Sequence, residues 1–303
     1  MPVLPGISGE VTNCSDMRDI MSDEPLQPGV LYIVATPIGN LEDITVRALR
    51  VLANADLIAA EDTRRTGLLL KAYGLKKPLI SCFAHNEEKQ SPRIISMIKE
   101  GKAVALVSDA GMPGISDPGA RLIRQALKAD IRLTVIPGPS AGITALAASG
   151  LDTETFAFGG FIPRDNKSRK AWLERFGDFP GTLIFYESPK RLPATLLMII
   201  EAWGDRNCCI ARELTKRYEE FIRGRLTEVY DELSNVESIK GEITVILEGR
   251  PGGKDDRLSR EEAEAMGESL IAEGMGIKEA SLRLAKETGI SAKDCYAMLI
   301  KRS

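Results

Sequence analysis

Three segments rich in glycine, proline and small polar residues each follow a short apolar run in the first half of the sequence. They are Ala35–Asn40, Ser108–Gly119 and Pro137–Gly142. Glycine lets a backbone approach a ligand closely, proline fixes the path of a loop, and aspartate supplies hydrogen-bond acceptors. The second segment holds two aspartates, three glycines and two prolines in twelve residues, which is more than a simple turn requires. We therefore predict that these loops build a small-molecule pocket.

Several common kinds of site are disfavoured by the residues present. The first apolar run is not followed by G-x-G-x-x-G, and the sequence contains no G-x-x-x-x-G-K-[ST], so a phosphate-cradling helix start is not expected. His85 is the only histidine, which leaves a serine-hydrolase triad or a zinc site without support. A nucleoside held by backbone groups and apolar contacts fits the loops better, and no metal is predicted.

The elements that must position these loops alternate between apolar runs and helical patterns up to residue 150. This alternation predicts a largely parallel sheet covered by helices on both faces, with each of the three loops at the carboxyl end of a strand, where such sheets place ligands. The predicted strands are Val30–Ala35, Leu57–Ala60, Pro78–Ser81, Ala103–Ser108 and Leu133–Ile136, and the predicted helices are Ile44–Leu52, Thr66–Tyr73, Ser91–Lys99, Pro118–Lys128 and Ser140–Ser149.

A second α/β domain with more antiparallel pairing is predicted over residues 151–250, after a boundary at Gly150–Thr155. A hydrophilic linker at Arg250–Asp256 separates it from residues 257–303, whose pattern is purely helical. That helical part resembles a helix-turn-helix unit, although a small packing module is the preferred interpretation. The predicted strands are Phe156–Phe161, Thr182–Tyr186, Asn207–Ala211, Glu219–Arg223 and Glu242–Leu247; the helices are Lys167–Arg175, Pro193–Ala202, Leu226–Leu233, Ser259–Ala272, Ile277–Thr288 and Ser291–Lys301.

The composition is that of a globular protein, with 44% hydrophobic and 27% charged residues among 303. No run of eighteen apolar residues occurs, so no membrane span is predicted. Residues 1–28 carry five acidic side chains and one arginine and are interpreted as a flexible leader, unlike a signal peptide. The five cysteines show no metal spacing, and the adjacent pair Cys208–Cys209 indicates buried thiols in a reducing compartment, which favours the cytoplasm.

The charge of the chain is unevenly distributed. The formal net charge is −3, whereas a nucleic-acid-binding domain is usually basic. Residues 160–225 nevertheless contain thirteen lysines and arginines against nine acidic residues, a net charge of +4. Charge alone favours a solvated surface over a nucleic-acid site.

Nine motifs then occur in order across residues 29–250, nearly three quarters of the chain. On these motifs the sequence resembles the tetrapyrrole-methylase (class III) methyltransferase superfamily, and within it the branch that methylates the 2′-oxygen of a cytidine ribose in small-subunit ribosomal RNA. The motifs are LYIVATPIGNLEDIT (31–45), AAEDTRRT (59–66), HNE (85–87), SDAGMPGISDPG (108–119), PGPSA (137–141), GFIPR (160–164), FYESPKR (185–191), ARELTKRYEE (211–220) and GEITVILEG (241–249).

The resemblance implies two α/β domains with a cofactor cleft between them, S-adenosylmethionine as the cofactor, a homodimer, and a small helical tail. Tetrapyrrole-modifying members carry G-x-G-P-G in the first loop and Asp-Pro in the second, where this chain has Ala35–Gly39 and Met112-Pro113, as the ribosomal branch does. Carried over by motif, the implied cofactor contacts are Pro37, Ile38, Gly111, Met112, Pro113, Ile115, Ser116, Ser140, Ala141, Glu187, Leu214 and Thr215.

The implied reaction is attack of a ribose hydroxyl on the methyl group of a sulfonium. Because a hydroxyl is weakly nucleophilic, a base helps, and the predicted candidates are Asp62, Glu87 and Glu213. The alternative for Asp62 is that it caps the next helix, and the alternative for Glu87 is that it is a surface residue. RNA must be held through its phosphates, and Phe83, Tyr186 or Tyr218 is predicted to hold one flipped nucleotide. The predicted RNA contacts are Arg64, Arg65, His85, Lys190, Arg191, Arg212, Lys216 and Arg217, extended by Lys167, Arg169 and Lys170.

Two alternatives stay open at this point. One is a methyltransferase that acts on a tetrapyrrole or another small acceptor, and the motifs AAEDTRRT and FYESPKR favour RNA over it. The other is a non-catalytic RNA-binding or ribosome-assembly module, against which the intact second loop argues.

Overall fold

A computed structural model describes residues 25–236, 238–250, 260–272, 274–288 and 292–300 of the chain. The described chain forms two compact units. The first unit takes the chain up to Thr144 together with Glu213–Glu219, and the second takes Ala145–Arg212 and the chain from Glu220 onward. Residues 1–24 of the predicted leader and residues 251–259, which include most of the predicted linker, lie outside the described residues, as do the predicted helix starts Ser259 and Ser291.

The first unit contains a five-stranded sheet in the order β3-β2-β4-β1-β5. Every strand pair in it is parallel, which confirms the sequence prediction. The strands that precede the three loops, β4, β1 and β5, are neighbours in this order. The elements are β1 Val30–Val34, α1 Val46–Asn54, β2 Leu57–Ala60, α2 Thr63–Ala72, β3 Leu79–Ser81, α3 Glu87–Lys99, β4 Val104–Val107, α4 Ala120–Lys128, β5 Arg132–Ile136 and α5 Ala141–Ser149, the last containing the boundary between the units.

Burial on both faces explains why the strands of this sheet read as continuous apolar runs. All five residues of β1 and all four of β4 are buried. Alternate residues point to opposite faces, so Val30 and Tyr32 pack into one core cluster while Leu31 packs into the other. The helix α1 begins after Thr45, whose hydroxyl accepts a hydrogen bond from the Ala48 backbone N–H at 3.1 Å.

The second unit contains a mixed five-stranded sheet in the order β6-β7-β10-β8-β9. Only β6 and β7 pair in parallel, and the other three pairs are antiparallel, as the sequence pattern predicted. Trp172 and Phe185, with ring centroids 5.5 Å apart, lie in the core of this unit. The elements are β6 Phe156–Phe161, α6 Asn166–Phe176, β7 Thr182–Glu187, α7 Leu192–Trp203, β8 Asn207–Arg212, β9 Glu220–Arg225, α8 Leu226–Ser234 and β10 Ile243–Leu247.

Three helices follow the second sheet in the chain: α9 Arg260–Ala272, α10 Ile277–Thr288 and α11 Ala292–Ile300. Leu270, Ala280 and Leu299 form a small apolar cluster of their own. This cluster supports the interpretation of the region as a packing module. Among the described residues, no helix is long and apolar enough to cross a membrane.

Candidate functional site

The first two loops are joined directly by their backbones. Thr36 follows β1, and Gly111 lies in the loop after β4; the Thr36 N–H donates to the Gly111 carbonyl at 2.9 Å, and the Gly111 N–H donates to the Thr36 carbonyl at 3.0 Å. The buried Thr36 hydroxyl also donates to the Ser108 carbonyl at 3.1 Å. Since the backbone N–H and carbonyl groups of Thr36 and Gly111 are each satisfied by the other loop, the two loops form one rigid edge rather than two independent connections.

The third loop lies against the same edge. A Cβ atom built on Gly111 would lie 3.5 Å from Ile38 Cγ2 and 3.6 Å from the Pro139 carbonyl oxygen, so all three loops meet at this glycine. A Cβ atom on Gly138 would come within 2.8 Å of Ala35 Cβ, which only glycine avoids. The predicted convergence of the three loops at one edge of the first sheet is therefore present.

The second loop is held in a conformation that most side chains disfavour. Gly111 has φ +79°, and Ser116 has φ +62° without being glycine. The Gly114 N–H donates to the Pro118 carbonyl at 3.0 Å, which closes the loop on itself. Ile115 at its tip is 51% exposed. A strained and partly exposed loop on a rigid support is typical of a ligand site.

A distant segment of the chain, Glu213–Glu219, folds into the first unit beside Gly39. A Cβ atom on Gly39 would lie 2.4 Å from Lys216 Cγ and 2.9 Å from the Leu214 carbonyl oxygen. Leu214 is buried, while Glu213 and Thr215 have φ of +53° and +63°. The segment, predicted to belong to the second domain, therefore joins the first loop in a strained conformation, and cofactor contact by Leu214 and Thr215 stays a prediction.

The hydroxyl of Thr215 is a buried polar atom without a hydrogen-bond partner in the described part of the chain. An unpaired buried hydroxyl costs about 1–3 kcal/mol. A bound molecule with polar groups at this position would remove that cost. The residues of this edge thus suit a ligand that combines polar groups with apolar surface.

Carboxylates gather where β2 and β4 end. The Glu61 carboxylate accepts from the Asp109 N–H at 3.1 Å, and the Asp109 carboxylate accepts from the Asp62 N–H at 3.1 Å. Arg65 lies 3.2 Å from Asp109. Burial, reinforced by the negative charge of Asp109, raises the pKa of Glu61.

Asp62, one of the three predicted bases, caps helix α2. Its carboxylate accepts from the Arg64 N–H at 2.8 Å and from the Arg64 guanidinium at 2.8 and 3.1 Å. These hydrogen bonds lower the pKa of Asp62 to about 2. The alternative predicted for Asp62, that it caps the next helix, is what the structure contains.

The other two predicted bases also have partners. Glu87 is 7% exposed, so the alternative that it is a surface residue is wrong, and its carboxylate accepts from the Leu122 N–H in the first turn of α4 at 2.8 Å. Glu213 accepts from Lys216 Nζ at 2.8 Å. Glu87 therefore stabilises the start of a helix, whereas Glu213 lies within the folded-back segment.

Glu187, predicted to contact the cofactor, is engaged inside the second unit. Its side chain is 1% exposed and accepts from the Thr195 hydroxyl at 2.8 Å and from the Ser188 N–H at 2.7 Å. Arg191 Nη2 lies 3.3 Å from the same carboxylate and donates to the Ile162 carbonyl at 2.9 Å. Both residues help to fix the start of α7.

The predicted RNA contacts differ in how far their side chains are exposed and in whether they are already paired within the protein. Arg212 is paired with Glu220 at 2.7 Å, and Arg64 is bound to Asp62 but has an 89% exposed side chain. Arg217 lies over the ring of the exposed Tyr218, with its guanidinium carbon 5.5 Å from the centroid. Lys190 and His85 are also exposed. The His85 ring lies beside that of Phe83, with ring centroids 6.2 Å apart.

Glu61 and Asp109 are the residues of this edge that the sequence analysis missed. Both lie inside quoted motifs, Glu61 directly before Asp62 and Asp109 directly after the buried strand β4. Their position at the ends of two neighbouring strands was the signal that could have selected them. No group of three or more metal-ligating side chains occurs among the described residues.

Comparison with known proteins identifies the family to which the chain belongs. A family model described as Tetrapyrrole (Corrin/Porphyrin) Methylases matches residues 30–230. The chain belongs to this family. The resemblance drawn from the motifs is confirmed, and methyl transfer is the chemistry of the tetrapyrrole methylases.

Relatives of this tetrapyrrole methylase are close in sequence. A protein of Halalkalibacterium halodurans named ribosomal RNA small subunit methyltransferase I is 47% identical over 275 residues, which covers 88% of the chain and 93% of the relative. A protein of the same name from Thermotoga maritima is 49% identical over 222 residues, covering 73% of the chain and 99% of the relative. The relative from Bacillus subtilis is 42% identical over 275 residues, with 88% and 93% coverage.

Solved structures share the fold at low sequence identity. A diphthine synthase matches with a TM-score of 0.55 at 16% identity, covering 72% of the chain and 90% of the synthase. A uroporphyrin-III C-methyltransferase of Thermus thermophilus in complex with S-adenosylhomocysteine matches with a TM-score of 0.51 at 18% identity, covering 72% of the chain and 96% of the transferase. These matches confirm the predicted fold class, with two α/β units and a C-terminal helical region.

Proposed function

We propose that this tetrapyrrole methylase transfers a methyl group from S-adenosylmethionine to the 2′-oxygen of a cytidine ribose in small-subunit ribosomal RNA. The relatives at 42–49% identity, all named for methylation of this RNA, support the RNA as acceptor. The observation that carries the proposal is the three-loop edge at Gly111, joined by the segment Glu213–Glu219. Transfer to the ribose oxygen and to a cytidine rests on the motifs alone.

S-adenosylmethionine supplies an electrophilic sulfonium methyl group when bound. The predicted cofactor contacts of the first unit come from the three loops, where small residues leave backbone groups accessible. They include Gly111, Ile38 and Ala141. The Thr215 hydroxyl, which lacks a partner among the described residues, adds a polar group on the side of Gly39. A nucleoside with an amino-acid tail matches this mixture of backbone, apolar and polar groups.

We propose Glu61 as the group that accepts the proton of the ribose hydroxyl. A general base works best when its pKa lies near the working pH, and burial raises the pKa of Glu61 whereas Arg64 holds that of Asp62 at about 2. A carboxylate protonated only near pH 2 is a weak acceptor. Glu87 is buried and bound at the start of α4, and Glu213 forms an ion pair with Lys216. Glu61 accepts the Asp109 N–H through Oε2, and its Oε1 has no hydrogen bond to a described residue.

The proposed assembly is a homodimer in the cytoplasm. The resemblance to the family supports the homodimer, and the buried cysteines support the cytoplasm. Among the described residues, Cys82, Cys208, Cys209 and Cys295 are buried and form no disulfide, and burial raises the pKa of the Cys208 thiol to about 12, so it resists oxidation. Light scattering of the purified protein at micromolar concentration tests the dimer, and a monomer mass would contradict it.

The proposed acceptor is tested by offering the enzyme methyl-labelled S-adenosylmethionine with three acceptors in parallel. These are immature small ribosomal subunits, naked small-subunit ribosomal RNA and a uroporphyrinogen-type tetrapyrrole. We expect label in RNA, on the ribose of a cytidine whose adjoining phosphodiester bond resists alkaline hydrolysis. Label that enters only the tetrapyrrole would overturn the RNA assignment, and label on a base would overturn the ribose assignment.

A further inference from the structure

A surface groove in the second unit runs between helices α6 and α7 and has a volume of about 490 Å³. Its lining includes Asn166, Arg169 and Lys170 from α6, and Arg191, Thr195 and Met198 from the start and body of α7. Three of these six side chains are cations, and none is a carboxylate. The methyl-transfer chemistry proposed above does not use this groove.

Arg169 is the residue that gives the groove its unbalanced charge. It is half-buried although it lies on a surface helix, and its guanidinium donates to the Asn166 side-chain oxygen. Within the described residues it has no carboxylate partner. Lys170 has only a distant one, with its Nζ 3.8 Å from Glu174 Oε1 and both side chains more than 60% exposed. An exposed pair of this kind contributes little binding energy.

Arg191 offers a second guanidinium at the other wall. Its Nη2 is engaged by Glu187 and by the Ile162 carbonyl, whereas its Nε and Nη1 make no hydrogen bond with any described residue. The buried Glu187 balances Arg191, and Glu174 partly balances Lys170. The groove therefore keeps the charge of Arg169 uncompensated, and a concave surface strengthens the field of such a charge.

We propose that this groove binds the phosphodiester backbone of the RNA substrate, an inference that rests on the function proposed above. Guanidinium groups match phosphate oxygens in geometry and remain charged at any relevant pH. The Met198 side chain and the stems of the cations offer apolar surface to a ribose. Because phosphate contacts position a nucleic acid without reading its sequence, the groove raises affinity for RNA and leaves the choice of the methylated nucleotide unchanged.

The test compares two double variants of the full-length protein that remove the same charge. Arg169→Ala with Lys170→Ala removes groove cations, whereas Lys128→Ala with Arg175→Ala removes one exposed lysine and one exposed arginine that neither line the groove nor belong to the predicted RNA contacts. The measurements are binding of a labelled transcript of small-subunit ribosomal RNA at several salt concentrations, kcat and KM for methyl transfer, and calorimetric binding of S-adenosylmethionine. Arg191 is left intact because Glu187 depends on it.

For the groove variant we expect a KM for RNA that rises about tenfold, an unchanged kcat, and a salt slope that falls by about 0.7 for each lost phosphate contact. The control variant should match the wild type. The single variant Arg169→Gln, which removes the charge and keeps a polar side chain, should give part of the effect if the fold is intact. Equal RNA affinity and salt slope in the two double variants would overturn the proposal, while methylation of RNA by both would leave the proposed function standing.

A pyrophosphate titration tests whether the groove binds the phosphates of RNA or a free phosphate compound. Inorganic pyrophosphate is titrated into the wild type and the groove variant at low salt, with RNA as the competitor. Displacement of RNA by pyrophosphate in the wild type alone supports a phosphate site that RNA occupies. Pyrophosphate binding that depends on Arg169 while RNA binding does not would overturn the RNA assignment. A wild type that neither binds nor methylates RNA would remove the proposed function and this inference together.

Discussion

Thr36 and Gly111 are 75 residues apart in the chain and exchange two backbone hydrogen bonds, of 2.9 and 3.0 Å. This pair fixes the loop after β1 to the loop after β4. Neither residue brings a reactive side chain to the edge, so their contribution is the shape and rigidity of the backbone around them. The pair makes the three-loop edge sensitive to any atom added at Gly111.

Gly111→Ala should weaken binding of S-adenosylmethionine about tenfold or more, measured by calorimetry. The new Cβ atom points towards Ile38 and Pro139, and the left-handed conformation costs an L-residue about 1–2 kcal/mol. Gly74→Ala is the matched control, since Gly74 has φ +70° with nothing within 4 Å of the added atom. It should lose similar stability and bind the cofactor normally. Equal affinities in the two variants would contradict a cofactor site at Gly111.

Gly39→Ala should displace the segment Glu213–Glu219 from the first loop. The added Cβ atom would lie 2.9 Å from the Leu214 carbonyl oxygen, a backbone atom that cannot move alone. Amide hydrogen exchange at Thr215, whose N–H donates to Glu219 at 2.7 Å, should accelerate. The control Gly67→Ala lies inside α2 with its nearest contact at 3.9 Å and should stabilise the protein by about 0.5–1 kcal/mol. Unchanged exchange in Gly39→Ala would show that the segment accommodates the methyl group.

Substitutions at Glu87 separate a structural role from a catalytic one. Glu87→Ala leaves the buried Leu122 N–H without an acceptor and should lower the free energy of unfolding by about 1–3 kcal/mol. Glu87→Gln keeps an acceptor oxygen, so it should lose less stability and retain kcat. The exposed neighbour Glu88, paired with Arg121 at 2.7 Å, serves as the control, and Glu88→Ala should cost under about 1 kcal/mol. A large fall in kcat for a well-folded Glu87→Gln would identify Glu87 as the base instead.

Glu61→Gln should reduce kcat by about 10²- to 10⁴-fold with little change in binding of S-adenosylmethionine. In the wild type, kcat/KM should fall as the pH decreases through the raised pKa of Glu61, because a base must be deprotonated to accept a proton. Asp62→Asn keeps a side chain that can cap α2, and since Asp62 is ionised at every pH above about 2, this variant should keep the acid limb unchanged. A pH profile that changes in Asp62→Asn and not in Glu61→Gln would reverse the assignment.

Much of the site was predictable from the sequence because it depends on local patterns. Glycine, proline and aspartate after buried strands indicated the three loops, and parallel strands bring their carboxyl ends to one edge. The roles of the acidic side chains were not predictable in the same way. Glu87 binds Leu122, 35 residues away, and the Asp109 N–H donates to Glu61 across 48 residues.

The sequence by itself determined the order and type of the elements, the parallel first sheet, the mixed second sheet and the methylase family, because strand and helix periodicities and motif order are local properties of the chain. Only the tertiary structure decided that Glu213–Glu219 belongs with the first unit, that Glu187 is bound inside the second, and that Arg169 lacks a carboxylate partner among the described residues. The physical reason is that hydrogen bonds, burial and pKa depend on distances between residues that are remote in the chain, and those distances exist only once the sheets and helices have packed.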